Sequence, residues 1–268
     1  MLSPASLPLT RDLVLIGGGH AHALVLRRWG MGPLPGVRVT VINPDPTAPY
    51  TGMLPGHVAG HYPRDALEID LVRLARFAGA RLILDRAEGI DPATRRVFIA
   101  GRGPVAYDVA SIDIGITSMM PDLPGFAEHA VAAKPLGDYA RAWARHLDRL
   151  RAGGAREARV VGIGGGVGGV ELALAMAHRL EERDTPLPGL GAGARAALDA
   201  HMRRAGVGLI CGQRALRVTA DGVHLSDGLV LASDFTLGAA GARPQGWLAG
   251  TGLHLTEGYV TVGPTLQT

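Results

Sequence analysis

The sequence predicts an α/β fold made of two three-layer units, each built around a parallel sheet. Short apolar runs alternate with segments of helical periodicity over most of the 268 residues. An apolar run, a glycine cluster and an apolar helix follow one another twice, as DLVLIGGGHAHALVL and RVVGIGGGVGGVELAL. The first glycines of these two turns, Gly17 and Gly164, lie more than half the chain length apart, which indicates two units rather than one.

The composition is that of a globular protein, with 47% hydrophobic and 19% charged residues. The net charge is only +3, and no basic stripe with interleaved aromatics occurs, so nucleic-acid binding is not expected. Cys211 is the only cysteine, which excludes an intramolecular disulfide, a cysteine zinc site and a CxxC pair within this sequence. A reduced, cytoplasmic and soluble protein is expected, because no apolar run is long enough for a membrane span and no signal peptide is evident.

The first half of the chain reads as alternating strands and helices. Strands are predicted at 13–16, 37–43 and 81–84, with helices at 21–29 and 68–79 between them. Such a β-α-β-α-β series predicts parallel strands joined by right-handed crossovers.

After the third predicted strand, the regular alternation of strands and helices is interrupted. The segments RRVFIAG, 95–101, and GPVAYDVASIDIG, 103–115, have no helix between them, which indicates antiparallel strands. A helix at 138–151 and a strand–glycine–helix segment at 158–180 follow. Short strands are then predicted at 207–211, 215–219, 222–225, 229–231 and 234–238.

The two glycine turns carry the chemical signal. Gly164, Gly166 and Gly169 complete the pattern G-x-G-x-x-G between a strand and a helix, the context in which backbone N–H groups and a helix N-terminus hold a diphosphate. In the first turn Gly17 and Gly19 match, but His22 stands at the third position. The alternative is that the glycines only make tight turns. Because a strand precedes and a helix follows the glycines in both segments, two Rossmann-like dinucleotide-binding units are favoured.

These features resemble the flavoprotein oxidoreductases of the pyridine nucleotide-disulfide oxidoreductase fold. Within them, the chain resembles type II NADH dehydrogenase-like proteins and the dehydrogenase-like domain fused to selenide, water dikinase. The stretches that carry the resemblance are LVLIGGGHAHALVL, GMGPLPGVRVTVINPDPTAPYTGMLPGHVAGHY, IDLVRLARFAGARLI, YDVASIDIG and GGGVGGVELALAMAHRL.

The resemblance implies FAD on the first unit, NAD(P)H on the second and hydride transfer between them. The implied cofactor-binding residues of the FAD side are Gly17, Gly19, His20, His22, Asn43, Thr51, Gly52, Met53, Ala87, Ile114, Gly115, Gly241 and Arg243. Gly164, Gly166 and Gly169 are implied for NAD(P)H. Because the chain lacks a CxxC pair, the flavin would pass its electrons to an external acceptor such as a quinone.

Two of these assignments have open alternatives. Glu171 matches a glutamate near nicotinamide and flavin in related dehydrogenases and is the candidate catalytic residue; it could equally be an acid that complements the helix dipole. Tyr50 and Met53 could be plain hydrophobic packing residues. Asn43 stands where families often use an acid for the adenosine ribose, and it can bond a hydroxyl without carrying charge.

The pattern breaks at two places. After the helix near residue 183, the strand that would hold the second adenosine ribose is not evident, and Glu181, Glu182 and Asp184 lie at a helix end. Relatives also continue beyond Thr268, so the chain is expected to be a fragment or part of a larger protein, and a longer form could contact a membrane peripherally. A homodimer is compatible with the resemblance.

The predicted arrangement is therefore a discontinuous FAD-binding domain, 1–133 plus 233–268, with an incomplete NAD(P)H-binding domain inserted at 134–232. The rivals are a non-catalytic nucleotide-binding module, such as a fusion partner of a selenophosphate-forming enzyme, and a single-cofactor NAD-dependent dehydrogenase. The pairs His20/His22 and His57/His61 invite a metal interpretation, but no carboxylate motif completes a site, and no metal is predicted.

Overall fold

The computed structural model describes residues 11–153, 158–181 and 200–268. The described residues fall into two compact units. Unit 1 comprises the chain up to Tyr50, Glu68–Ile116 and Pro244–Thr268, and unit 2 comprises Thr51–Leu67 and Thr117–Arg243.

The helices are α1 (His20–Met31), α2 (Leu54–Val58), α3 (Leu71–Ala78), α4 (Phe126–His129), α5 (Leu136–Gly153) and α6 (Val167–Glu181), and residues 200–204 are also helical. The strands of the first half are β1 (Arg11–Ile16), β2 (Val37–Asn43), β3 (Thr47–Pro49), β4 (Glu68–Asp70), β5 (Arg81–Leu84), β6 (Ala87–Asp91), β7 (Arg96–Ile99), β8 (Arg102–Ala106) and β9 (Val109–Ile112). Those of the second half are β10 (Thr117–Ser118), β11 (Ala130–Ala132), β12 (Val160–Ile163), β13 (Ala215–Thr219), β14 (Gly222–Leu225), β15 (Val230–Ala232), β16 (Phe235–Gly238), β17 (Ala242–Arg243), β18 (Leu255–Thr256) and β19 (Tyr259–Val260).

Unit 1 is built on a four-stranded parallel sheet in the order β5-β2-β1-β9. Strand β1 is buried on both faces, as its continuous apolar sequence predicts. On one face Leu15 packs with Leu26 of α1 and Ala78 of α3. On the other face Val14 and Ile16 pack with the antiparallel sheet β6-β7-β8. The unit therefore has three layers: helices, parallel sheet and antiparallel sheet.

Unit 2 repeats the same layering. Its parallel sheet has the order β11-β16-β12. Phe235 and Leu237 of β16 face the core formed with α2, α5 and α6. Val161 and Ile163 of β12 face the antiparallel sheet β13-β14-β15. The predicted α/β class with two Rossmann-like units is thus confirmed, and the repeat seen in the sequence is a repeat of structure.

Three predicted elements differ from the structure. Residues 109–112 are parallel to β1 rather than antiparallel, because the whole β6-β7-β8 sheet serves as the crossover from β5 to β9. The helix predicted at 68–79 begins only at Leu71, because Asp70 ends β4 and caps the helix by accepting the N–H of Arg73 at 2.9 Å. Residues 207–211 form no strand and pair with no other strand among the described residues.

The boundaries of the units differ from those expected at 133/134 and 232/233. Segment 51–67 lies in unit 2, and so does 117–133, whose strand β11 pairs with β16. Which unit holds which nucleotide stays a proposal. Within the described ranges, no helix is both long enough and apolar enough to cross a membrane.

Candidate functional site

The first glycine turn connects β1 to α1 and is held by hydrogen bonds to residues of β2 and α1. Gly17 has φ +91°, a left-handed conformation that glycine adopts without strain, and its N–H donates to the carbonyl of Ile42 at 2.8 Å. The N–H of Gly18 donates to Oδ1 of Asn43 at 2.9 Å. The Asn43 amide in turn donates from Nδ2 to the carbonyl of Asp45 at 2.7 Å, so both ends of this side chain bond within the protein.

His22, at the third position of this motif, points into the unit. Its side chain is 2% exposed. Nδ1 lies 2.7 Å from the carbonyl of Gly17, and Nε2 lies 2.8 Å from Oγ of Ser111 on β9. Because a carbonyl only accepts, Nδ1 carries the proton, and Nε2 accepts from the Ser111 hydroxyl. The ring fixes the turn to β9.

The pKa of His22 is lowered below the usual 6.5 because burial disfavours the charged ring. The hydrogen bond to Gly17 and the nearby charge of Asp113 oppose this shift. Burial therefore favours the neutral ring, in which Nδ1 donates to Gly17 and Nε2 accepts from Ser111.

A carboxylate lies at the N-terminus of α1. Asp113 directly follows β9, and its Oδ2 accepts the N–H of His22 at 2.9 Å. A methyl group built on Gly19 would lie 2.5 Å from the carboxyl atoms of Asp113. The lack of a side chain at Gly19 thus makes room for this carboxylate.

The second glycine turn connects β12 to α6, and its three glycines play separate roles. Gly164 has φ +124° and passes close to the backbone of Ala239 and Ala240. A methyl group on Gly169 would overlap the carbonyl oxygen of Gly164, so this glycine permits close packing of helix on strand. A methyl group on Gly166 would meet nothing within 4 Å. The dinucleotide-binding fingerprint uses its first glycine for a tight turn, its second for the approach of a diphosphate and its third for close packing of helix on strand, and these three glycines match those roles in order.

The other predicted residues of unit 1 lie around its sheet. His20 is exposed at the start of α1, with its ring centroid 6.0 Å from that of Tyr50. Ala87 begins β6 opposite Ile99. Ile114 packs against the core on the β6-β7-β8 side, and the carbonyl of Gly115 accepts from Nε2 of Gln245 at 2.9 Å.

The predicted residues of unit 2 lie in three places. Thr51 and Gly52 are exposed in a short 3₁₀ helix, Thr51–Met53, while Met53 packs against the core. Gly241 has φ +68°, and Arg243 of β17 forms an ion pair with Asp122. Glu171 is exposed on α6. Glu182 and Asp184 lie outside the described residues, as does the segment expected to hold the second ribose.

The two histidine pairs that invite a metal interpretation lie among different neighbours. In the described parts of the chain, no group of three or more His, Cys, Asp or Glu side chains could hold an ion. Nδ1 of His57 bonds the carbonyl of Tyr62 at 3.0 Å, and the rings of His61 and His178 lie 5.0 Å apart.

Sequence reasoning missed Asp113 and Ser111. The signal was available in ASIDIG, because an acid directly after a parallel strand lies at the edge where the neighbouring glycine turn also lies. The family resemblance implies roles only for the next two residues, Ile114 and Gly115.

Comparisons with known proteins agree with this geometry. The family model for the pyridine nucleotide-disulphide oxidoreductases matches residues 11–268. A nitric oxide reductase FlRd-NAD(+) reductase from Aeromonas hydrophila subsp. hydrophila is 33% identical over 193 residues, which covers 67% of this chain and 47% of that protein. An NADH dehydrogenase-like protein, YutJ, from Bacillus subtilis is 29% identical over 170 residues, 61% of this chain and 44% of the relative.

The fold also matches solved structures. The reduced CoADR-RHD of Bacillus anthracis superposes with a TM-score of 0.81 at 21% identity, covering 96% of this chain and 49% of the other. The chain thus spans about half the length of these relatives. The match over residues 11–268, together with the doubled glycine turn and layering, shows that the chain belongs to the pyridine nucleotide-disulphide oxidoreductase family, which uses FAD and NAD(P)H.

Proposed function

We propose that this chain binds FAD at the first glycine turn and NAD(P)H at the second, and that it takes part in passing hydride from NAD(P)H to the flavin. Unit 1 is then the FAD-binding domain and unit 2 the NAD(P)H-binding domain. The observation that carries the proposal is the second turn, where Gly164, Gly166 and Gly169 each show the conformation or clearance that dinucleotide binding requires.

The second turn fits a diphosphate. Gly165, Gly166 and Gly168 all have free space where a side chain would be. Gly165 and Gly166 directly precede α6, which begins at Val167, and Gly168 lies in its first turn. The first N–H groups of a helix have no partner within the helix, and the helix dipole favours an anion there. Backbone N–H groups at this turn would hold the pyrophosphate of NAD(P)H, and Gly166 would let it approach.

The first turn offers backbone N–H groups to the diphosphate of FAD. The N–H groups of His20 and Ala21 open α1 and lack intrahelical partners by position. Asn43 and His22 hold the glycines in the shape that a diphosphate needs, so we propose them as positioning residues. Both side chains are used within the protein in this structure, which supports positioning over direct contact with FAD.

Bound at these turns, FAD and NAD(P)H would supply the chemistry of hydride transfer between nicotinamide and flavin. The chain's residues bind and orient. Glu171, exposed on α6 two residues after Gly169, is proposed to orient the nicotinamide or handle a proton; its alternative is an acid that interacts favourably with the helix.

The electron acceptor is proposed to be a quinone or another small external molecule. The chain holds a single cysteine, Cys211, so it cannot form an internal redox disulfide. Membership of the NADH dehydrogenase-like branch, similarity to the domain fused to selenide, water dikinase, a homodimer and a cytoplasmic setting stay predictions.

A second candidate is a nucleotide-binding module without catalysis. The sequence favours it, because no strand that would hold the second adenosine ribose is evident after the helix near residue 183. Such a module would retain FAD or bind NAD(P)H without electron transfer.

Anaerobic titration with NADH tests the proposal. The purified protein is expected to bind FAD and show its absorbance band, and NADH is expected to bleach that band. A yellow protein that NADH leaves unchanged indicates the second candidate. A protein that binds no flavin refutes the proposed FAD site.

Two glycine variants test the NAD(P)H site without disturbing the fold. Gly166→Ala adds a methyl group in open space at the diphosphate position, whereas Gly168→Ala adds one in open space at a variable position of the motif. We expect Gly166→Ala to weaken NADH binding at least tenfold with unchanged stability, and Gly168→Ala to bind NADH as the wild type does. Equal effects of the two would contradict the assignment.

A further inference from the structure

The second glycines of the two motifs, Gly19 and Gly166, face different surroundings. A methyl group on Gly166 would meet no atom within 4 Å, whereas one on Gly19 would lie 2.5 Å from the carboxyl carbon and both carboxyl oxygens of Asp113. In the dinucleotide fingerprint this glycine lacks a side chain so that the pyrophosphate can approach the backbone. At the first turn, the group that approaches is the protein's own carboxylate.

The same carboxylate uses a helix N–H that an anion would use. Oδ2 of Asp113 accepts the N–H of His22, the third residue of α1, at 2.9 Å. The N–H groups of the first helical turn are those that bind phosphates at such sites. Asp113 therefore supplies an internal anion at the place that the motif provides for a diphosphate.

The backbone of Asp113 is fixed, and its side chain is the part that can turn away. Its N–H continues the β1–β9 ladder by donating to the carbonyl of Ile16 at 2.8 Å, and its own carbonyl lies against Gly17. Its side chain is held by the single described bond to His22 and has two rotatable bonds. A ligand can thus displace the carboxylate without moving the strand.

We propose that Asp113 is an affinity-determining residue of the FAD site: its carboxylate occupies the anion position of the first turn and must be displaced by the diphosphate. This inference rests on the proposed FAD site. Two anions at one helix N-terminus repel each other and compete for the same donors, so the carboxylate lowers the affinity for diphosphate-containing ligands. Ligands without a diphosphate do not meet this competition.

The test is FAD binding to Asp113→Asn, measured on apoprotein by flavin fluorescence and compared with riboflavin, which lacks the diphosphate. Asparagine keeps an oxygen that can accept the His22 N–H but removes the charge. We expect FAD to bind about tenfold more tightly than to the wild type, and riboflavin affinity to change less than twofold.

Asp108→Asn is the matched control. Asp108 lies just before β9, at the end opposite to Asp113, and its Oδ2 likewise accepts a backbone N–H, that of Asp12, at 2.7 Å. The control removes the same charge from the same unit and is expected to bind FAD as the wild type does. Asp113→Ser serves as a second variant, with the same expected tightening, if the asparagine variant does not fold.

These measurements distinguish failure of the proposed role of Asp113 from failure of the proposed FAD site. If the wild type binds FAD and both Asp113 variants bind it equally or more weakly, this inference is wrong and the proposed FAD site stands. Equal tightening of riboflavin, or tightening in Asp108→Asn, also overturns it. If FAD binds to none of these proteins, both the FAD site and this inference fail.

Discussion

Restoring the missing third glycine of the first motif is expected to destabilise the protein. If His22 only contacted the cofactor, its replacement would leave the free energy of unfolding of the apoprotein unchanged. The structure instead gives the ring two hydrogen bonds, to the carbonyl of Gly17 and to Ser111, in a position that is 2% exposed. The variants His22→Ala and His22→Gly separate these two views.

The magnitude follows from the bonds that are lost. Losing the bond to Ser111 costs about 1 kcal/mol, and leaving the carbonyl of buried Gly17 without its donor costs about 2 kcal/mol. His22→Ala should therefore lower the free energy of unfolding by about 3 kcal/mol. His22→Gly should cost about 1 kcal/mol more, because glycine in a helix is less favourable than alanine.

Urea unfolding of the apoprotein measures these differences. His20→Ala is the matched control: His20 lies two residues earlier on the same helix, is exposed, and should change the free energy of unfolding by less than about 0.5 kcal/mol. If His22→Gly were as stable as the wild type, or more stable, the assignment of His22 as the residue that fixes the turn would be refuted.

Three further outcomes are expected. The free energy of unfolding should decrease as the pH falls below 6.5, because burial lowers the pKa of His22 and His146, so the unfolded chain binds more protons there; a flat profile between about pH 7.5 and 5 would contradict this. Gly169→Ala should lower the melting temperature sharply, since its methyl group would overlap the Gly164 carbonyl, and a normal melting curve would be inconsistent with the close packing. Tyr139→Phe should leave stability unchanged or raise it by about 1 kcal/mol in urea unfolding, because the described residues offer the buried hydroxyl no hydrogen-bond partner; a large loss would reveal one.

Much of the fold could be predicted from local sequence. Each strand–glycine–helix segment can be predicted from its own residues, because an apolar run indicates a strand buried on both faces, glycines indicate the turn, and helical periodicity follows. The prediction failed at residues 207–211, where an apolar run bounded by glycines looked like a strand. A strand also needs a neighbour to complete its hydrogen bonds, and periodicity does not report whether one is present.

The details of the first turn could not be predicted in the same way. His22, at the third motif position, is predicted to contact the cofactor, and this stays a prediction; its ring is oriented by a hydrogen bond to Ser111, which lies 89 residues away in sequence. Asp113 reaches α1 only because β9 pairs with β1 in a particular register. Asn43 bonds Gly18, and its contact with a ribose stays a prediction. Each outcome depends on a pairing between distant segments.

Equilibrium binding of FAD and NAD+, separately and together, tests the central claim that the two glycine turns hold two different nucleotides; NAD+ is used because it cannot reduce the flavin. We expect one FAD and one NAD+ to bind per chain, with neither displacing the other at saturation. Competition between the two for one site, or binding of neither, would contradict it.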